Sequence, residues 1–549
     1  MHSLAAELAL PLPVCALLTA RGLTDPVAAR RFLQSPLADL HSPSAMRDLD
    51  RAVGRIQRAI ESGETMLVHG DYDVDGITST VFLTRVFRLL GARVVPFVPN
   101  RLTDGYDLTG AGVKAARDCG AGLVVTCDCG TSAVEPVAQL RAAGIDVIIT
   151  DHHLPNGPLP DALAVLNPRR PDCGYPDKDL VAGGVSFKLA LGVTRAVGGD
   201  ESIVFDLLDL VAMATVADVA PLRGENRILV RHGLRRMASS SLPGVRALVR
   251  AAGLDAKELT AGRIGFVLAP RLNAAGRIGS AMRGVELLLT DDEGVALGIA
   301  RELEELNRRR QDLDRQTLTE ARRQLDLLDL DSTYGLVLAG EGWHPGVVGI
   351  VASRVVEETA RPAVLVALEG SVGKGSGRSI PAFDLHGALS ECSDLFTRFG
   401  GHRAAAGVTL DASRIDEFAE RFNQVAMERL TPDDLTHELR IDLELPLGSA
   451  TEELFQALRH CEPYGVGNPA PVFLASQVTA AAAVRRIGET GIRTRLAQGT
   501  AAIDAIAWDF AQRVSDFDWS RPLDVVYRLE RDEWQGRARL QARIADARQ

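Results

Sequence analysis

Apolar positions in the first third of the chain gather into short unbroken runs rather than alternating ones. Thr65–His69, Arg93–Val98, Gly122–Cys127 and Asp146–Thr150 are rich in β-branched residues, while Ile77–Leu90 and Ser132–Ala143 between them carry a helical period. Continuous apolar runs predict strands buried on both faces, and their spacing predicts βαβ units in a parallel sheet. Helical runs follow at Val185–Val197 and Ile203–Val216. The pattern defines an N-terminal segment, 1–50, and a first α/β domain, 51–235. Residues 285–330 change texture: no Pro or Gly interrupts the charged, Leu-punctuated stretch Arg301–Asp331, which predicts a long helix within a helical connector, 236–332.

A second α/β pattern comes next. It has strands at Gly335–Ala339 and Ala363–Leu368, a helix at Val347–Glu358, and glycine loops at Gly370–Arg378 and Gly400–Gly407, in a domain of 333–435. From 438 to 549, short apolar runs (Val472–Leu474, Ala501–Trp508, Leu523–Tyr527, Arg539–Ile544) separated by turns suit a five-stranded Greek-key barrel. The fold class is therefore α/β: a parallel-sheet domain and a smaller α/β domain joined by a long helix, followed by an all-β, OB-like barrel.

Length and composition agree with several cores: 549 residues exceed what one core organises, and 46% are hydrophobic. The formal net charge of −11 excludes a global basic field, so any nucleic-acid contact must come from a local groove. Seven cysteines without a CxxC pair fit a reducing cytoplasm. The apolar run Leu8–Ala20 follows Glu7 and contains Pro11 and Pro13, a poor fit to a signal peptide. The longest other apolar stretch, Ile203–Val219, carries Asp206, Asp209 and Asp218, so no membrane span is expected.

The chemistry lies where the acids and histidines fall. His69, Asp71, Asp73 and Asp75 begin as the first strand ends, Asp128 follows the Gly122–Cys127 strand, and Asp151, His152 and His153 follow Asp146–Thr150. Three strands thus deliver carboxylates and imidazoles to one edge of a parallel sheet, where such sheets build their sites. Asp218, at the end of a helical run, can close the group. One Asp after a strand is ordinarily a cap or turn residue. Three such segments in equivalent places are not explained that way. Five carboxylates on one edge repel unless divalent cations neutralise them. Mixed Asp and His donors suit Mn²⁺, all-oxygen sites Mg²⁺, and the donor count calls for two ions, the arrangement used for in-line displacement at phosphorus.

These segments also carry a resemblance. HGDYDVDG, TCDCG, TDHH and VADVAPL resemble the four signature motifs of the DHH phosphoesterase superfamily. PRLNAAGR (270–277), GWHPGVVGIVASRV (342–355), GSGRS (375–379) and GGHRAAAG (400–407) are similar to its RecJ branch. The resemblance implies a 5′→3′ single-stranded-DNA exonuclease with a DHH domain, a DHHA1 domain and an OB fold, in the order of the three blocks above. Some members carry a further C-terminal domain, for which this chain is too short on that reading. The resemblance further implies that His69, Asp73 and Asp75 are metal ligands, with Asp71 a ligand or an outer partner. Asp128 would bridge the ions, and His152 and Asp218 would complete the second site. His153 would meet the scissile phosphate and Asp151 would orient the neighbouring imidazole. It implies roles in DNA repair and recombination, with single-strand-binding protein and a RecQ-type helicase as partners and the nucleoid as place of action.

An exonuclease must hold a strand end, and a terminal phosphate is best gripped by guanidinium forks and backbone N–H groups. Arg101, then Arg271, Asn273 and Arg277 of PRLNAAGR, then Ser376 and Arg378 of the glycine loop, are the candidate pocket, with His402 clamping the next backbone unit. GSVGKGSGRS is not a nucleotide-triphosphate loop: Leu368 occupies the place of its first Gly, and Gly375 follows Lys374. In the C-terminal block, Trp508 and the basic track Arg485, Arg486, Arg493 and Arg495 can bind a single strand, although Trp508 suits a barrel core equally well. Two other readings stand beside this one. A compact nanoRNA, cyclic-dinucleotide or pyrophosphate hydrolase of the superfamily is disfavoured by the connector and the 438–549 block. A binding protein that has lost its metals is disfavoured by the intact donor set.

Overall fold

The computed structural model describes residues 2–101, 103–534 and 537–549. Five strands, β1 (Thr65–Gly70), β2 (Arg93–Phe97), β3 (Leu123–Cys127), β4 (Asp146–Thr150) and β5 (Ala164–Leu166), form a sheet in the order β2-β1-β3-β4-β5, parallel throughout. Side chains alternate across it. Met66, Val68 and Val125 join a core with the helix Val74–Leu89, whereas Leu67, Val124, Val147 and Ile149 pack beneath the helices Gly110–Asp118 and Val134–Ala142. Both faces are dry, as the unbroken apolar runs require.

The expected connector, 236–332, is only partly a connector. Leu242, Val245, Leu248, Val285 and Leu288 belong to the same core as the first sheet. The long helix runs from Glu293 to Leu325, starting earlier than expected because Asp292 caps it through Val295 N (2.8 Å) and Gly294 and Gly298 do not break it. Its 33 residues span about 50 Å. Ala296, Ile299 and Leu303 insert into the first core, and Leu318, Ala321 and Leu325 into a second. Between them the buried positions are polar: Asn307, Arg310 and Asp314.

The second sheet, β6 (Leu336–Glu341), β7 (Ala363–Glu369), β8 (Val372–Arg378), β9 (Phe396–Gly401) and β10 (Ala405–Asp411), has the order β6-β7-β8-β10-β9 and is antiparallel except between β6 and β7. The glycine loop expected at Gly370–Arg378 is therefore mostly β8, and that expected at Gly400–Gly407 is the end of β9, a turn and the start of β10. The glycines of β8 alternate to thin one face. A Cβ on Gly373, Gly375 or Gly377 would come within 2.8, 2.6 and 2.9 Å of Val366, Val408 and Leu385, so Lys374, Ser376 and Arg378 occupy the opposite face.

In the C-terminal domain β11 (Leu443–Glu444), β12 (Phe473–Ala480), β13 (Arg485–Ile487), β14 (Gly491–Gln498), β15 (Ala501–Ala507), β16 (Leu523–Trp534) and β17 (Arg537–Arg548) pair as β11-β12-β16-β17-β15-β14-β13. The additional β12–β14 pairing closes five of them into a barrel. The N-terminal segment completes this domain's core: Val14, Leu17 and Leu18 of the helix Leu12–Ala20 pack with Leu445, Phe473 and Tyr527. No helix among the described residues is long and apolar enough to cross a membrane.

Candidate metal centre and phosphate pocket

Each acid of the first sheet's edge is the residue immediately after a strand, and each is still held by the neighbouring strand. Asp71 N donates to Cys127 O (3.2 Å), Asp128 N to Thr150 O (3.0 Å) and Asp151 N to Leu166 O (3.0 Å). The ladder thus places three carboxylates side by side. Asp128 turns its side chain inward from a left-handed backbone at φ 65°, a region Asp tolerates better than most residues. The turn after β1 admits only glycine at two points: a Cβ on Gly70 would lie 2.0 Å from Thr80 Oγ1, and one on Gly76 would lie 2.4 Å from Asp71 O. That close turn brings in Asp73, which caps the helix Val74–Leu89 through Gly76 N (3.1 Å), and Asp75 in the first turn. Asp75 accepts from Ala182 N (2.9 Å), Gly183 N (2.8 Å) and Ser79 Oγ (3.0 Å), the first two at the N-terminus of the helix Ala182–Ala196.

Donor atoms converge in three overlapping sets: Asp71, Asp73 and Asp128; Asp75, His152 and Asp218; and Asp128, His152 and His153, with the donors of each set within 4.8 Å of one another. His152 Nε2 lies 3.1 Å from Asp128, 3.8 Å from Asp218 and 3.9 Å from Asp75. Burial, and then mutual repulsion, push the Asp75 and Asp128 carboxyls well above the usual range. Burial and Asp73 lift Asp218 to about 7. Burial lowers His152 to about 3, leaving a neutral imidazole suited to ligation. Asp71 Oδ1 and His152 Nδ1 are buried without hydrogen-bond partners. Crowded carboxylates, neutral imidazole and orphaned donors together fit one or two divalent cations.

His153 is held differently. Its Nδ1 lies 2.7 Å from Asp151 Oδ1, and its Nε2 lies 3.1 Å from the Tyr106 hydroxyl. Burial opposes its charge, but the Asp151 bond and the surrounding carboxylates outweigh that and raise it to about 9. Asp151 is itself fixed by Thr131 N (2.9 Å) and lies below the ordinary carboxylate range: burial works to raise it, and the bond to His153 prevails. Asn167 Nδ2 donates to His153 O (2.8 Å). Sequence reasoning missed Tyr106, Thr131 and Asn167. Only Asn167 left a signal, since it follows the end of β5 on the same sheet edge, and that three-residue strand was not anticipated.

His69 is not among the converging donors. It shares the face of Leu67, because strand side chains alternate, and so points under the helix Gly110–Asp118. Its Nδ1 lies 3.5 Å from Cys129 Sγ, and a Cβ on Gly112 would lie 2.7 Å from its Nε2. This differs from the expected ligand role of His69.

The predicted phosphate residues separate into two groups. Arg101, Arg277 and Arg378 come together: burial first, and then Arg101, lower both Arg277, to about 10, and Arg378. Arg101 is exposed and lies 5.1 Å above the Tyr72 ring. Arg277 Nη1 donates to Gly346 O (3.0 Å) and Arg378 Nη1 to Ser376 Oγ (3.1 Å). Arg310, unanticipated, adds to the positive field on Arg277 from the middle of the long helix. Arg271 is instead engaged by Glu304 (2.6 Å) and is not a free fork. Asn273 is half-buried on the helix Ala269–Ile278, and His402 is exposed in the β9–β10 turn, where its N–H donates to Ala405 O (2.8 Å). On the barrel, Arg493 pairs with Asp532 (3.1 Å) and Arg495 with Asp504 (3.8 Å), while Trp508 is half-exposed rather than buried in the core.

Known proteins are similar to this chain along its whole length. Family profiles match for the DHH family, N-terminal domain (residues 65–215), the DHHA1 domain (332–428) and the RecJ OB domain (441–546). The single-stranded-DNA-specific exonuclease RecJ of Bacillus subtilis (strain 168) is 36% identical over 551 residues, covering 100% of this chain and 69% of that protein. RecJ of Salmonella typhimurium is 36% identical, covering 95% of this chain and 93% of that protein. RecJ in complex with Mn²⁺ from Thermus thermophilus superposes with a TM-score of 0.84 at 34% identity, covering 100% of this chain and 77% of that one. A second structure of that protein contains Mg²⁺, with a TM-score of 0.79 at 33% identity, covering 100% of this chain and 76% of that one.

Proposed function

The chain belongs to the RecJ family of single-stranded-DNA-specific exonucleases, and from that membership we propose that it is a metal-dependent exonuclease releasing 5′-mononucleotides from single-stranded DNA in the 5′→3′ direction. One observation carries the reading: three donor sets, overlapping at Asp128 and His152, lie beside a cluster of desolvated guanidiniums. Asp71, Asp73 and Asp128 would hold one ion and Asp75, His152 and Asp218 the other, with Mn²⁺ or Mg²⁺ as occupant. When bound, such a pair neutralises the charge that develops in in-line displacement at phosphorus.

The chain's own residues do the rest. Arg101, Arg277 and Arg378 supply forks for a terminal phosphate, and Ser376 Oγ, already bonded to Arg378, fixes that fork's orientation. Asp151 holds the His153 ring through Nδ1, so Nε2, which shares a hydrogen bond with the Tyr106 hydroxyl, is the nitrogen that would meet the reacting phosphate and stabilise its charge or protonate the leaving oxygen. Gly373, Gly375 and Gly377 draw β8 tight to its neighbours and so set Ser376 and Arg378 in place. Action in the bacterial cytoplasm at the nucleoid, with single-strand-binding protein and a RecQ-type helicase, is part of this proposal and is supported by family membership.

The test is a single-stranded oligonucleotide labelled at either end, offered with Mn²⁺, Mg²⁺ or a chelator. Mononucleotides appearing first from the 5′ end, only with metal, are expected. First release from the 3′ end overturns the polarity, and release in chelator overturns the metal mechanism. A length series separates the dinucleotide-hydrolase reading, which requires activity confined to the shortest strands.

A further inference from the structure

The helical stretch 264–278 borders the carboxylate cluster on one side. Toward its end a Cβ on Gly276 would lie 2.6 Å from Tyr72 O, and toward its start one on Gly265 would lie 3.4 Å from Val216, two residues before Asp218. Arg277, in the guanidinium cluster, is at one end, and a π-helical turn, Ile264–Leu268, is at the other, roughly 16 Å away at an ordinary helical rise. Phe266 projects from that turn with 87% of its surface exposed. Val219, directly after Asp218, is 65% exposed and sits at φ 58°, where a β-branched residue is strained. Val466, 47% exposed, belongs to the C-terminal domain, and its carbonyl accepts from Leu222 N at 2.7 Å.

Single exposed apolar residues need no explanation. Here three occupy segments packed or bonded to one another, on the side of the metal centre that leads to the barrel. One lies in a π-turn, a feature that gathers at functional sites, and another is in a strained backbone. Phe266 offers a ring, and Val219 and Val466 offer branched apolar side chains, rather than the amides and carboxylates that read base edges. An exposed ring on a helix that borders a phosphodiester site fits the π-face of an unpaired base.

We propose that Phe266, with Val219 and Val466 exposed on the neighbouring segments, is the platform on which a nucleobase of the substrate strand stacks on the barrel side of the reacting phosphate. A paired base has its faces covered by neighbouring pairs, so the contact favours single strands over duplex. This inference rests on the exonuclease reading above, and its test separates the two.

Strands carrying one abasic site, moved position by position from the 5′ end, are digested by the wild type, Phe266→Ala and Phe266→Trp. For the wild type, one or two adjacent positions should raise KM about tenfold, on the scale of losing one base–aromatic stack. That positional penalty should vanish in Phe266→Ala and persist in Phe266→Trp. In parallel, 2-aminopurine at the same positions should be quenched on binding to Asp128→Ala protein, and not when Phe266→Ala is added. An abasic penalty and a quench that are unchanged by Phe266→Ala overturn the platform. If the wild type releases no nucleotide, the catalytic reading falls, and the fluorescence measurement, which needs only binding, still decides the platform.

Discussion

Two neighbouring regions carry opposite surpluses of charge. At the edge of the first sheet, carboxylates crowd until burial and repulsion raise Asp75, Asp128 and Asp218. Beside them, Arg101, Arg277 and Arg378 crowd until burial and one another lower Arg277 and Arg378. Each is unstable alone and each names its missing partner by sign: cations in the first, phosphate in the second. They are built differently. Asp71, Asp128 and Asp151 hang on adjacent strands of one sheet, locked by the ladder itself, and Asp73, Asp75 and Asp218 close in from helix ends. The arginines come from a loop, a helix and β8 of another domain, so their meeting depends on how the domains pack. A rigid edge suits ions whose geometry is strict, while a composite pocket suits a phosphate that must enter and leave.

Breaking the first region gives the largest effect. Asp128→Ala, which removes the residue common to two donor sets, should lower single-turnover hydrolysis about 1,000-fold or more, with single-strand binding retained in anisotropy titrations. Equal turnover in the variant would remove the metal mechanism. Breaking the second should be milder and selective: Arg378→Ala should cut kcat/KM on 5′-phosphorylated strands about 10- to 100-fold, the worth of a charge-assisted bond, and change 5′-hydroxyl strands far less. A uniform loss on both substrates would mean that Arg378 serves packing rather than phosphate recognition. Gly375→Val drives a side chain into Val408 and should destabilise the second domain by about 1–3 kcal/mol in denaturant titrations.

Ion removal probes the contrast through pH. The raised carboxyls hold protons in the folded apoprotein that the unfolded chain releases, so folded stability declines as pH rises through their folded-state pKa values. His153, lifted to about 9, acts in the same direction. His152, lowered to about 3, acts oppositely but only below its unfolded value near 6.5. Between pH 6.5 and 8 the metal-free Tm should therefore fall by a few degrees, and Mn²⁺ should abolish the slope. A flat apoprotein profile would show the carboxylates to be uncoupled. The smallest change is expected from His69→Gln. Because that ring faces Gly112, Mn²⁺ affinity should drop less than with Asp73→Asn in calorimetric titration; an equal drop would restore His69 to the donor set.

How much of this was legible follows from what each feature depends on. The edge carboxylates were readable because an acid directly after an apolar run depends only on local sequence and the rule for parallel sheets. The direction of His69 was not, since it turns on strand parity, which the run of apolar neighbours hides. β8 looked like a loop because its alternating glycines erase the period-two signal that side chains would carry. Arg310 gave no local sign at all. It matters only because the long helix crosses from one core to the other at that point.

The packing of Val14, Leu17 and Leu18 against Leu445, Phe473 and Tyr527 has a consequence for biosynthesis. At about 5–20 residues per second, some 430 residues of intervening chain take roughly 20–90 s to emerge from the ribosome. Throughout that wait Val14, Leu17 and Leu18 lack the barrel residues that bury them, so they find their place late, and they are where chaperone assistance would be most needed.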